Sequence, residues 1–193
     1  VIVNLVVGHN DHRIRITNCK LLGAFDVGPC VFRDVTIDGL TVDDIVLAWA
    51  PRLEHVTLRG RIGAMNVNAN PTVTLPRDVA RTFAEARADF YDRVDWALDI
   101  AEARFTGSFS LRGVPTHLVR RDPETQMIVT RERALGSGWR KKLSKKNVDG
   151  LFAIDSFLED DEPARVLVAR RGSRKFRQDL DALSELRDLG VLE

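Results

Sequence analysis

The stretch that decides the fold is FDVGPCVFRDVTIDGLTVDDIVL, residues 25–47, because apolar residues recur in it as pairs. Each pair has one residue between its members, and each begins five residues after the previous one. The pairs are Phe25/Val27, Cys30/Phe32, Val35/Ile37, Leu40/Val42 and Ile45/Leu47, with Cys19/Leu21 near the same register. A period of five matches neither an α-helix, with about 3.6 residues per turn, nor a strand, with a period of about two. It predicts short strands that each form one side of a parallel β-solenoid and point two side chains inward.

A longer repeat supports the same interpretation. The motif Phe32-x-x-Val35-x-Ile37-x-Gly39 recurs further along the chain as Leu53-x-x-Val56-x-Leu58-x-Gly60. Two looser copies begin at Ile16 and at Ile100. Stacking one coil of about 20 residues on the next buries apolar ladders that no single coil buries alone. We expect the glycines of the motif to lie at the corners, where a positive φ is needed.

These residues resemble the pentapeptide-repeat family, whose members are right-handed quadrilateral β-helices. The resemblance covers residues 16–62 and 98–113, and its most similar segment is Ala103-Arg104-Phe105-Thr106-Gly107. Family members favour a small residue two places before a central Leu or Phe, as in the pairs Cys30/Phe32 and Ala103/Phe105. The sequence departs from the family at three larger residues, Val35, Leu40 and Ile45. An irregular β-sandwich and a leucine-rich-repeat-like sheet are the alternative folds.

The remaining residues predict helices and strands around this β-rich part. Pro76, a residue that suits a first helical turn, and apolar residues at helical spacing predict a helix at about residues 75–94, inserted into the solenoid. Met127–Thr130 is a strand or part of a helix that begins at Pro123. Further along, we expect a short helix in 149–162, a strand at 166–168, and a last helix that Ser173 caps and Gly190 ends.

The predicted fold is therefore mainly β, a short right-handed parallel β-solenoid with an inserted helix and a C-terminal α/β addition. Residues 1–135 form the solenoid-like domain, and residues 139–193 form the α/β addition packed on it. The Gly-Ser-Gly sequence at 136–138 is the expected flexible joint between them.

Composition excludes several classes of protein. The chain has 193 residues, 44% of them hydrophobic and 30% charged, with a net charge of +1, which excludes a disordered, fibrous or strongly polyionic protein. Its two cysteines, Cys19 and Cys30, exclude a disulfide framework and fit the core as small apolar residues. No apolar run approaches the roughly 20 residues of a membrane span, and Val1–Val7 fits a buried strand better than a signal peptide. We expect a cytoplasmic protein that does not bind membranes.

No pattern in the sequence predicts a catalytic site, a metal site or a cofactor. His9-x-x-His12 has no second pair of ligands, so turn polarity explains it better than metal binding. His55 and His117 are isolated in the sequence and fit surface or structural positions. The sequence also lacks the glycine-rich loops that hold phosphates and the elbow motif of serine hydrolases.

Two clusters of charge are candidate contact sites. The first has five positive charges in residues 140–146, and its candidate partner-binding residues are Trp139, Arg140, Lys141, Lys142, Lys145 and Lys146. These cations suit phosphates, with Trp139 stacking on a base, or an acidic protein. Residues 149–162 hold six acidic side chains and no basic one, so neutralisation within the chain is the alternative. The second cluster is Arg120 and Arg121, an anion clamp or part of a turn in which Asp122 caps a helix.

The predicted function is that of a bacterial-type binding or regulatory module that contacts a protein partner, because a solenoid has flat stacked faces and no catalytic pattern competes with them. The family resemblance implies DNA mimicry for some members, whose surfaces are strongly acidic. Residues 1–100 have 13 acidic and 11 basic side chains, which does not fit such mimicry. Nucleic-acid binding through 139–146 and an enzyme of unknown reaction are the alternatives. The sequence leaves the oligomeric state open.

Overall fold

The computed structural model describes residues 5–7 and 13–193. The strand predicted at Val1–Val7 therefore lies within the described residues only at 5–7, and His9 and His12 lie outside them. Among the described helices, none is both long enough and apolar enough to cross a membrane. The strands, in chain order, are β1 (Leu5–Val7), β2 (Ile14–Leu21), β3 (Phe25–Val27), β4 (Cys30–Arg33), β5 (Val35–Val42), β6 (Val46–Trp49), β7 (Arg52–Glu54), β8 (Val56–Ile62), β9 (Met65–Asn68), β10 (Leu98–Asp99), β11 (Ala103–Phe105), β12 (Phe109–Leu111), β13 (Val119–Arg120), β14 (Gln126–Thr130) and β15 (Ala164–Val168). The helices are α1 (Arg77–Tyr91), α2 (Arg131–Leu135), α3 (Trp139–Lys142), α4 (Val148–Glu159) and α5 (Phe176–Asp188), with a 3₁₀ helix at Thr116–Leu118.

The first thirteen strands form three sheets in which every pairing is parallel. The first sheet has the order β1-β4-β7, the second β13-β10-β8-β5-β2, with β11 also on β8, and the third β12-β9-β6-β3. Parallel strands need long connections, so consecutive strands of the chain pass from sheet to sheet rather than forming hairpins. The protein is mainly β, and its pairing excludes an antiparallel sandwich.

The longer motif predicts the register of the central strands. Phe32 pairs with Leu53, and Ile37 pairs with Leu58, as the two closest copies require. Gly39 and Gly60 have φ values of 81° and 69° and bend β5 and β8 at the same place. The two looser copies are displaced by four or five residues, since Cys19 pairs with Leu40 and Ala103 with Gly60.

One predicted inward pair is wrong by one residue. Val46 and Ala48 are buried, whereas Ile45 and Leu47 are only half-buried. The turn at 43–44 adds one residue to the five-residue period, so Asp34 and His55 are 21 residues apart. The five-residue period therefore holds along 25–42 and breaks at this turn.

The helix predicted at about 75–94 is present as α1, and it lies against the first sheet. Its last residue, Tyr91, is buried, and its hydroxyl oxygen accepts a hydrogen bond from the backbone N–H of Leu53 at 3.3 Å. Burial raises the pKa of Tyr91 to about 12. The helix thus satisfies a backbone donor of β7 where no further strand pairs with it in the described part of the chain.

The C-terminal elements surround a second hydrophobic cluster. Its fully buried members include Met127, Ile154, Phe157 and Leu186, from β14, α4 and α5. The predicted strand at 166–168 is part of β15, which pairs antiparallel with β14, so 127–130 is a strand and not a helix. The expected joint at 136–138 lies in the chain between these two paired strands.

A charged network connects this part to the parallel sheets. The Arg165 side chain is 5% exposed and forms ion pairs with Asp160 and Glu162. Asp160 also accepts a hydrogen bond from Arg112, which follows β12, at 2.7 Å. Burial raises the pKa of Asp160, but the hydrogen bonds from Arg112 and Arg165 outweigh this effect and lower it. The network therefore joins the segment after β12 to the residues between α4 and β15.

Candidate functional site

The basic segment 139–146 begins with a residue that lies inside the protein. Trp139 is 5% exposed, belongs to the second hydrophobic cluster, and donates its indole N–H to the Ala134 carbonyl at 3.0 Å. The Arg140 guanidinium lies 4.6 Å from the centre of the Trp139 ring and forms an ion pair of 2.6 Å with Asp155. The folded chain therefore uses Trp139 as an anchor, and its indole does not face a base or a partner.

The segment is fixed at its other end by Asn147. This residue is buried, caps α4 by accepting a hydrogen bond from the Gly150 N–H at 2.9 Å, and donates to the Ala182 carbonyl of α5 at 3.0 Å. The four lysines between the two anchors are exposed, and none of them forms an ion pair with a described residue: Lys141, Lys142, Lys145 and Lys146. The acidic stretch 149–162 therefore neutralises Arg140, through Asp155, and does not neutralise these four lysines.

Two exposed apolar side chains follow the lysines directly. Val148 is 65% exposed and Phe152 is 73% exposed, and the two are one turn apart on α4. Phe152 also lines a cleft of about 290 Å³ between β12, α4, β15 and α5. We call Val148, Phe152 and the four lysines together the α4 surface. Apolar side chains beside cations are typical of protein contact surfaces.

Arg120 and Arg121 do not converge on a common anion. The Arg120 guanidinium lies 4.1 Å from the centre of the Trp96 ring, whereas Arg121 donates to the Gln126 carbonyl at 2.7 Å. Asp122 accepts hydrogen bonds from the Glu124 N–H and the Thr125 hydroxyl in a turn. The helix expected at Pro123 is absent from this described segment, because β14 begins at Gln126.

His55 lies in a cluster that sequence reasoning missed. Its Nδ1 is 3.1 Å from Asp34 Oδ1, its Nε2 is 2.6 Å from Asp95 Oδ1, and its ring stacks on Trp96 with centroids 4.8 Å apart. Burial lowers the pKa of His55, but the hydrogen bonds to Asp95 and Asp34 outweigh this and raise it above its usual value. The hydrogen bond from His55 lowers the pKa of Asp95. With both ring nitrogens engaged, His55 links two carboxylates and is not free to act as a base.

The register of the longer motif is the sequence signal that places Asp34 beside His55. The helix insertion hides Asp95, which is 40 residues from His55. No group of three or more histidine, cysteine or acidic side chains suited to a metal occurs among residues 5–7 and 13–193. Cys19 and Cys30 are free thiols, and burial raises the pKa of Cys30 to about 11, so its thiol stays protonated and unreactive near neutral pH.

Comparisons of the chain with protein-family models, with curated proteins and with solved structures find no match.

Proposed function

We propose that the three parallel sheets are faces of a short right-handed β-solenoid resembling the pentapeptide-repeat proteins, and that the chain is a protein-binding or regulatory module of the cytoplasm. The pairing of strands that lie one repeat apart supports the solenoid, because stacked coils bring each residue beside its equivalent in the next coil. Flat stacked faces and a rigid C-terminal part provide a scaffold on which exposed side chains keep fixed positions.

The observation that carries the function is the α4 surface. Val148 and Phe152 are exposed beside four lysines without ion pairs, on a segment anchored by Trp139 and Asn147. Binding energy in protein interfaces comes chiefly from a few apolar or aromatic side chains that become buried, and surrounding charges steer association. The fitting partner is a protein segment that places carboxylates around an apolar side chain.

This surface fits a protein better than a nucleic acid. Trp139, the residue expected to stack on a base, lies inside the protein, and the exposed Phe152 lies one helical turn from the exposed aliphatic Val148, an apolar pair that suits a protein segment. The cleft beside Phe152 favours binding over catalysis, because its arginines already pair with carboxylates of the chain: Arg112 and Arg165 with Asp160, and Arg170 with Asp179.

The experiment that tests this function is a pull-down from lysate of the source organism, with and without nuclease. Two variants disrupt the α4 surface: Lys141→Glu/Lys145→Glu/Lys146→Glu, and Val148→Ser/Phe152→Ser. The control Arg77→Glu/Arg81→Glu/Arg93→Glu makes the same change of charge on exposed positions of α1 and the residues after it. We expect one protein to bind the wild type and the control after nuclease, and each α4-surface variant to weaken it about tenfold or more.

Equal recovery by all four proteins excludes the α4 surface as the contact site. Loss of recovery after nuclease favours nucleic-acid binding over the proposed function. Thermal unfolding of each variant provides the folding control, since exposed substitutions change stability by only about 0.5 kcal/mol.

A further inference from the structure

The second sheet collects cations that are far apart in the sequence onto the outer surface of its two halves, which meet at the bend of Gly39 and Gly60. Its inward side chains are apolar, as shown by buried Val35, Val56 and Leu98. Because side chains alternate along a strand, the residues between them point outward. The outward cations are Arg15, Lys20, Arg59, Arg61, Arg104 and Arg120, and the other outward residues on these strands are Thr17, Thr36, Asp38, Thr41, Thr57 and Asp99. We call this set the arginine face.

Arg61 and Arg104 are direct neighbours on the arginine face. They are paired in register on the parallel strands β8 and β11, and both are exposed. Neither forms an ion pair with a described residue. Like charges side by side on neighbouring strands destabilise a sheet. Such a local conflict in an otherwise regular sheet is typical of a functional surface.

The other cations of the face are held in place by neighbours. Asp38 forms ion pairs with Arg15 at 3.1 Å and with Arg59 at 2.9 Å. The hydrogen bond from Arg59 makes the largest contribution to lowering the pKa of Asp38. Arg120 lies against Trp96. Lys20 forms an ion pair of 3.2 Å with Asp43, in the turn after β5. Six cations against the three carboxylates Asp38, Asp43 and Asp99 leave the face with a net charge of +3, whereas the whole chain has +1.

From this charge and composition we infer that the arginine face binds the phosphate backbone of double-stranded DNA. Its outward positions hold only Arg, Lys, Thr and Asp, so it lacks the apolar centre of a protein interface. Interfaces with nucleic acids are more polar and much more positively charged than interfaces between proteins. Arginine also donates two parallel hydrogen bonds to a phosphate, and threonine hydroxyls add further donors.

A double helix fits the face better than a single strand does. Among residues 5–7 and 13–193, the tryptophan beside the face is Trp96, and its ring is stacked between His55 and Arg120 and is not free to stack on a base. Five strands about 4.8 Å apart span about 20 Å, which is wider than the major groove of roughly 12 Å. The face can therefore contact phosphates on both sides of that groove without reading its bases. This inference is independent of the α4 surface.

The test is fluorescence anisotropy with a labelled DNA duplex of roughly 20 base pairs, about two helical turns. We expect binding that does not depend on sequence and that falls with a log–log salt slope near −3 for three net charges. Arg61→Gln/Arg104→Gln removes two cations without adding a negative charge, so the slope becomes smaller by about 2 and the affinity falls about tenfold or more. Arg77→Gln/Arg81→Gln makes the same change of charge on exposed positions of α1 and leaves both values nearly unchanged.

Three results overturn the inference. The first is that the protein does not bind the duplex at about 50 mM salt. The second is an equal loss of affinity in the two double variants, because the net charge of the protein would then explain the binding. The third is equal or tighter binding of a single strand or of polyglutamate, which makes the partner an unpaired strand or an acidic protein. Equal thermal midpoints of the two variants establish that lost binding does not reflect unfolding.

Discussion

His55 has a positive φ of 56°, and Asp34, its equivalent one repeat earlier, has a φ of 55°. Residues with a side chain adopt this left-handed conformation at a cost of about 1–2 kcal/mol, and asparagine and aspartate adopt it most readily. At this bend the cost to His55 is offset by two carboxylate partners and by stacking on Trp96. The link also connects the strands of the repeat to the segment that returns from α1.

Stability should depend on pH through this link. The folded pKa of His55 is raised above its unfolded value of about 6.5, so the folded state binds the proton more tightly. The contribution of His55 is fully present below about pH 6.5 and is lost as the pH rises through the folded pKa. We expect the urea midpoint of His55→Asn to fall less than that of the wild type between about pH 6 and pH 9. Asparagine is chosen because it tolerates the positive φ.

The matched control for this experiment is His117→Asn, because His117 is exposed. It should keep the pH dependence of the wild type. An NMR titration that gives His55 a pKa below about 6.5 contradicts the prediction, as does an unchanged pH dependence in His55→Asn.

At the scale of single elements, local patterns predict where strands and helices occur better than they predict where these begin. The alternating Val-Thr-Ile-Asp and Val-Thr-Leu-Arg of β5 and β8 fix their inward faces, and the helical spacing finds α1, α4 and α5. The inward pair after the turn at 43–44 is misplaced because one extra residue reverses which side chains point inward. Similarly, the basic residues around Trp139 indicate an exposed segment, and only the three-dimensional packing places its indole inside.

The bend in β5 depends on Gly39 for two separable reasons. Its φ is 81°, and a Cβ there would lie 2.9 Å from the Asn18 side-chain oxygen. Gly23 has a φ of 78° and has no heavy atom within 4 Å of the same Cβ position. Gly23→Ala should therefore lose only the backbone cost of about 1–2 kcal/mol, and Gly39→Ala this cost together with the smaller cost of moving the Asn18 side chain. Urea unfolding measures both, and equal losses contradict a role for the contact with Asn18.

At the scale of the whole molecule, the repeat predicts contacts between equivalent positions of successive copies and misses those that cross the insertion. Phe32 and Leu53 are one repeat apart, and their pairing follows from the motif. Arg61 and Arg104 lie on neighbouring strands although they are 43 residues apart, about two repeats, because α1 is inserted between β9 and β10. The basic run at 139–146 is visible in the sequence, whereas the arginine face depends on this arrangement of the sheets.

The proposed solenoid predicts how the protein responds when one repeat is removed from the chain, and no single residue or element predicts this. Because each coil contacts only its neighbours, removing one full repeat should leave the others able to stack. The full-repeat deletion, of Asp34–Glu54, joins Arg33 to His55, so that β2 meets β8 and β3 meets β9 in the existing register. The shorter deletion, of Asp34–Leu53, keeps Glu54, which shifts the chain by one position and turns apolar side chains of the shifted strand outward.

We expect the full-repeat deletion to unfold cooperatively at a lower temperature than the wild type, and the shorter deletion to lack a cooperative transition. Circular dichroism during thermal unfolding distinguishes the two. The deletions differ only in Glu54 and remove nearly the same apolar area, so loss of core alone should affect them equally. If both fold equally well, or both fail, the register between coils does not determine the fold, and the solenoid is the wrong description of these sheets.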